Sequence, residues 1–248
     1  MTKDNLHGSK KFIAAVIEEL QPLLEDLSKD RKVLETMKNV IFDEPGERHM
    51  GRNPSPREKY LQKIFSGYYE IEASFEVLKD IPLYMKRFPS KSVDISKVRF
   101  LKYHVGNYLN ENYILRERLV TYQKVITRMY KNARHLGEME KQVKKLDILV
   151  SGFDGIVTTR GRHVHEKRYS DEDFERLGFF EIMGNKDDPL LSLLEMFYPF
   201  ALRDYRKKWL KTISENNNNI AKLLDTYFDI LYDVVFDKKG KFIEPNRA

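Results

Sequence analysis

Apolar residues recur along this chain at the three- and four-residue spacing of helices, and the strict alternation of strands is nearly absent. Over residues 10–42 the pattern runs Phe12, Ile13, Val16, Ile17, Leu20, Leu23, Leu24, Leu27, then Val33, Leu34, Met37, Val40 and Ile41. It predicts helix, with a kink or a new turn at Pro22. The stretch DEPGERHMGRNPSPR (43–57) holds three Pro and two Gly and little to bury, which marks a long loop.

A second helix is expected over about 58–79, with Tyr60, Leu61, Ile64, Phe65, Tyr68 and Ile71 on one face, and RFPSKSVD breaks the chain after it. From Ser96 to about Lys131 there is no Pro, and Val98, Leu101, Val105, Tyr108, Leu109, Leu115, Leu119, Tyr122, Ile126 and Met129 repeat. Such a helix is about 50 Å long at 1.5 Å per residue.

A fourth helix is expected over about 138–160, with Val143, Leu146, Leu149, Val150, Phe153, Ile156 and Val157 inward. SDED (170–173) has the Ser-x-x-acid form of a helix start and predicts a short helix over roughly 171–182. Asp188 before Pro189 signals another start. Periodicity then continues to about Phe236, interrupted near Pro199 and at NNNN (216–219). The expectation is an all-α helical bundle with a long central helix, one domain over residues 1–248, with residues 1–57 as an N-terminal helical extension.

Composition narrows the function classes. Cysteine is absent, which removes disulfides, thiolate metal sites and Cys nucleophiles. The aromatic content of 12% is that of a folded, soluble chain and not a disordered one. MTKDNLHGSKKF lacks the apolar core of a signal peptide, and no apolar run reaches membrane-spanning length. A cytoplasmic protein with no membrane partner is expected. The net charge of +6 permits a polyanionic partner without requiring one.

The chemically dense stretch is GIVTTRGRHVHEKRYSDEDFERLG (155–178), which gathers Arg160, Arg162, His163, His165, Lys167 and Arg168 before turning acidic. Two readings compete for it. If a helix ends near Arg160 with Gly161 as its left-handed cap, the cations after it complement the helix dipole and no function is needed. Alternatively, Arg160 and His165 act together. A guanidinium binds phosphate as an always-charged planar fork, and a histidine titrates near neutral pH. The pair suffices for metal-free RNA cleavage: His takes the ribose 2′-OH proton, and Arg stabilises the charge of the phosphorane-like transition state. DNA, with no 2′-OH, would resist.

Arg160-x4-His165 resembles the Arg-x4–6-His signature of the HEPN superfamily. The setting is similar too, with the long helix YLNENYILRERLVTYQKVITRMY (108–130) followed by a helix leading into the motif. The resemblance covers residues 95–235. It implies an all-α fold that dimerises around the motif, and either a metal-independent endoribonuclease of a toxin or defence system or a nucleotide-binding protein without cleavage. On that likeness Arg160 and His165 are the catalytic pair, with Arg162, His163, Lys167 and Arg168 binding substrate. No cofactor or metal is required. The partners are RNA or a nucleotide, a second copy of the chain, and an antitoxin or neighbouring protein. The chain departs from the family pattern at Gly161, where Asn, Asp or His is common. It departs again at Lys167, where one branch has Tyr.

Two further matches to the spacing exist, Arg99-x4-His104 and Arg128-x6-His135. His104 falls on the apolar face of the long helix, which reads as a packed histidine. His135 follows the end of that helix and suits its dipole. Residues five apart on a straight helix sit about 140° apart around the axis. Arg160 and His165 therefore converge only if the chain bends at Gly161, or if they meet the same residues of a symmetry mate.

Other constellations read as structure. His163, His165, Glu166, Asp171, Glu172 and Asp173 are metal-compatible in type but not in spacing, and acids at 171–173 suit a helix start. Arg203, Lys207 and Lys211 with Trp209 read as a solvated helix face before a phosphate-tracking stripe. Tyr60, Tyr68 and the other helical aromatics read as core. No nucleotide-binding loop or nucleophile elbow is present. The alternative to the RNA reading is a non-catalytic helical scaffold or partner-binding protein.

Overall fold

A computed structural model describes residues 7–41, 52–87, 96–130, 136–155, 158, 170–183 and 189–245. Among these the chain is all-α: α1 (Gly8–Lys29), α2 (Arg31–Ile41), α3 (Pro56–Lys86), α4 (Lys97–Met129), α5 (Leu136–Ser151), α6 (Glu172–Met183) and α7 (Pro189–Val235). The one β feature among them is an isolated antiparallel bridge between Phe236 and Phe242. No helix among the described residues is long and apolar enough to cross a membrane.

These elements form a helical bundle that divides into two compact units interleaved in sequence. One comprises Met1–Glu70, Thr121–Asp147 and Leu224–Ala248, and the other Ile71–Val120 and Ile148–Leu223.

In the first unit α1 begins without a side-chain cap of its own, because His7 offers none. Two carboxylates of α7 supply it instead: Asp229 accepts from the Gly8 amide at 2.8 Å and Asp225 from the Ser9 amide at 3.2 Å. Gly8 sits at φ +60, and a Cβ there would overlap the Asp225 side chain, so glycine is needed on both counts. Phe12, Val16, Leu20 and Leu23 form the buried stripe of α1. The Phe12 ring meets Phe228 at 5.2 Å, and Tyr68 and Phe236 at 6.1 Å each. Each such buried ring contributes about 1.5–3 kcal/mol through apolar burial.

The break after α1 falls at Asp30 and not at Pro22, which α1 contains. Asp30 leaves the helix in an extended conformation, and its carboxylate caps α2 by accepting from Lys32 and Val33 amides. Leu34, Met37, Val40 and Ile41, which carry the apolar spacing of α2, stand 47–75% exposed. α3 starts two residues earlier than its apolar pattern suggests. Ser55 and Glu58 form a reciprocal capping box, with Ser55 N to Glu58 Oε2 at 2.7 Å and Glu58 N to Ser55 Oγ at 3.3 Å. Pro56 occupies the first helical position, where its missing N–H costs nothing.

After α7 the chain turns back through Asp237, whose carboxylate accepts from the Lys239 and Lys241 amides at 2.8 and 2.9 Å. Those bonds hold its pKa below the usual carboxylate range. The returning segment places the Phe242 amide against Glu19, which also pairs with Arg57.

In the second unit α3 runs to Lys86, past its expected end near residue 79, and α7 continues through its expected interruptions. Pro82 lies inside α3 and has no N–H for the Leu78 carbonyl. Asn217 Nδ2 donates to that carbonyl at 3.0 Å, while Asn217 Oδ1 accepts from the buried Tyr108 hydroxyl at 3.0 Å. The tract 216–219 is thus held as helix by what Asn217 bonds. Pro199 also sits within α7 without ending it.

Candidate functional site

The helix leading to the motif is interrupted earlier than expected. α5 ends at Ser151, and Gly152 and Phe153 close a tighter turn through amide bonds to Leu149 and Val150 carbonyls at 3.2 and 3.1 Å. Phe153 anchors this turn, only 2% exposed. Helical geometry resumes at Asp154 and Gly155 and is present at Thr158, whose hydroxyl donates to the Asp154 carbonyl at 2.9 Å. Arg116 of α4 reaches the Asp154 carboxylate at 3.5 Å.

Arg160, Arg162, His163, His165, Lys167 and Arg168 lie outside the described residues, as does His135. The chain is described again from Ser170. Here the cap of α6 is Asp171 and not Ser170. Asp171 Oδ1 accepts from the Phe174 amide at 2.9 Å, and Oδ2 accepts from the Tyr205 hydroxyl at 2.5 Å. A carboxylate is the stronger acceptor at the positive end of a helix, and the α7 hydroxyl fixes its orientation.

The acids that could have been metal ligands are engaged otherwise. Asp171 caps α6, Asp173 pairs with Lys208 at 2.7 Å, and Glu172 pairs with Arg176 at 3.5 Å. Among the described residues no group of His, Asp and Glu is arranged to hold a metal. On α7, Arg203, Lys207 and Lys211 are exposed, with Arg203 beside Asp204 and Lys211 beside Glu215, and Trp209 is half-buried. They form a solvated, partly neutralised face.

His104 is half-buried, with its ring among aromatics: 4.4 Å from Phe100, 5.3 Å from Tyr103 and 6.1 Å from Tyr84. Burial lowers its pKa, so the imidazole is neutral at pH 7. Sequence reading placed His104 in the core and missed that its neighbours reach the surface. Phe100, Tyr103 and His104 share a helix face by spacing alone, but Tyr84 comes from α3 and nothing local announces it. Compared with protein-family models, with curated proteins and with solved structures, the chain matches none.

Proposed function

We propose that the chain is a HEPN-type protein that dimerises and acts on RNA or nucleotides through Arg160 and His165, as a metal-independent endoribonuclease. The observation that carries this reading is the motif Arg160-x4-His165 in an all-α chain, two residues beyond the helical Thr158. His165 takes the 2′-OH proton as the 2′-oxygen attacks phosphorus and the bond to the 5′-oxygen breaks, and returns a proton to that leaving oxygen; Arg160 clamps the phosphate, with Arg162, His163, Lys167 and Arg168 binding along the RNA. Two copies of the pair in one isologous cleft would supply the convergence that a five-residue spacing on a single helix lacks.

The test is cleavage of single-stranded RNA in EDTA by wild type and by His165→Ala. Cleavage by the wild type alone is expected, and equal cleavage by the variant would remove His165 from the chemistry. If neither cuts, a non-catalytic partner-binding role takes precedence. The exposed apolar residues of α2, Leu34, Met37, Val40 and Ile41, favour that second reading.

A further inference from the structure

In the second unit, the end of α3 and the start of α4 carry two tyrosines whose rings are left in water. Tyr84 is 51% and Tyr103 68% exposed. Both border His104, and the Tyr84 and His104 rings are nearly parallel at 29°. Phe100 closes the group from one turn earlier on α4. The His104 Nδ1 is buried with no hydrogen-bond partner among the described residues. The group is therefore a set of flat, uncharged rings, part buried and part open.

Charge around it is mainly positive. Residues 81–87 and 96–110 contain Lys86, Arg87, Lys97, Arg99 and Lys102, and no Asp or Glu. Arg87 stands one turn after Tyr84, Arg99 one turn before Tyr103, and Lys97 one turn before Phe100. None of the five pairs with a described carboxylate, and Asp80, one turn before Tyr84, is the nearest acid along either helix. Glu181 of α6 approaches at Ser96, which donates to it at 2.5 Å. Lys102 Nζ lies 6.0 Å from the Phe174 ring in the first turn of α6.

We propose that Tyr84, Phe100, Tyr103 and His104 form a stacking platform for the bases of single-stranded RNA, with Arg87, Lys97, Arg99 and Lys102 holding its phosphates. Every base has a π face, so aromatic rings bind unpaired bases regardless of sequence, and flanking cations follow the backbone. An apolar peptide would use the rings and leave the cations idle. A duplex would offer no unstacked base. The proposal rests on the RNA reading above but uses residues other than Arg160 and His165, so the two can fail separately.

The experiment is fluorescence anisotropy of a fluorescein-labelled oligoadenylate in EDTA. The parent protein is His165→Ala, which keeps the probe intact, and Tyr84→Ala/Tyr103→Ala and Tyr84→Phe/Tyr103→Phe are added to it. The alanine pair is expected to weaken binding about 10-fold or more with the salt dependence unchanged, while the phenylalanine pair binds like the parent. Tight binding that the alanine pair leaves intact overturns the platform and spares the RNA reading. No binding by the parent overturns both. Self-association of the parent that the alanine pair abolishes, with RNA affinity unchanged, assigns the face to a protein contact and overturns the platform too. Should the alanine pair fail to fold, Arg87→Gln/Arg99→Gln decides. Weaker binding with a salt slope reduced by about 1–2 supports the platform, and an unchanged slope overturns it.

Discussion

Asn217 donates to the Leu78 carbonyl, at 3.0 Å, the hydrogen bond that Pro82 is unable to give it. The same amide accepts from Tyr108, so one buried side chain on α7 satisfies groups on α3 and α4. Burial pushes the Tyr108 hydroxyl up to about 12, which keeps it a donor at all ordinary pH.

Asn217→Leu leaves a buried carbonyl and a buried hydroxyl unpaired, and is expected to cost about 2–4 kcal/mol in urea unfolding. Pro82→Ala restores an amide that can reach Leu78, so in that background the same substitution costs clearly less. A double-mutant cycle measures the difference. Strict additivity would mean that Asn217 does not replace the missing helical donor.

Gly67 and Tyr122 define a second dependence, within the first unit. A Cβ on Gly67 would overlap the Tyr122 ring, whose hydroxyl is fixed by donating to the Ile64 carbonyl at 2.8 Å. Gly67→Ala is expected to destabilise by about 1–3 kcal/mol despite its better helix propensity. A methyl group added at Gly178 in α6 would meet nothing within 4 Å, so Gly178→Ala is expected to stabilise by about 0.5–1 kcal/mol. Thermal unfolding of the two variants should shift in opposite directions.

The helices were legible because their apolar spacing is strong, and their failures share a cause. Pro199 and the tract 216–219 read as interruptions by local preference, yet α7 runs through both; the Asn217 bond to Leu78, which serves α3 past its expected end, spans the sequence and leaves no local mark. The turn at Asp30 was hidden for the converse reason, since the apolar pattern runs through it while the carboxylate caps α2. Gly152 interrupts α5 without interrupting its periodicity. At the candidate site, Asp171 and the acids beside it were legible as a helix start. The ring group at His104 was half legible, because α4 shows its own aromatics and α3 conceals Tyr84.

Glu58 gives an acid-dependent contribution to stability. Its pairing with Arg52 lowers its pKa from 4.5 to about 2, with burial opposing the shift and the bonds from Ser55 adding to it. A depressed carboxylate stabilises the fold above its unfolded pKa, and the contribution fades as pH falls from 4.5 toward 2. Glu58→Gln should therefore unfold at lower temperature than wild type at pH 7, by about 1 kcal/mol of lost capping and pairing. The gap should narrow below pH 4.5. A gap that stays constant with pH would show that charge at Glu58 is irrelevant and only its shape matters.

Asp171 holds two groups at the start of α6, its oxygens accepting from the Phe174 amide and the Tyr205 hydroxyl, and it lies six residues after His165 in sequence. Asp171→Ala removes both bonds and is expected to cost about 1–2 kcal/mol of stability. Asparagine caps nearly as well as aspartate but keeps one acceptor oxygen, so Asp171→Asn should retain the cap, lose the bond accepted from Tyr205 and fall between wild type and the alanine variant. If the cap positions His165, cleavage in EDTA should fall about 10-fold or more in the alanine variant, since small misplacements of a catalytic group are costly. RNA affinity, governed by Tyr84 and Tyr103, should hold. A loss of stability with cleavage untouched would leave Asp171 as the cap of α6 and nothing more.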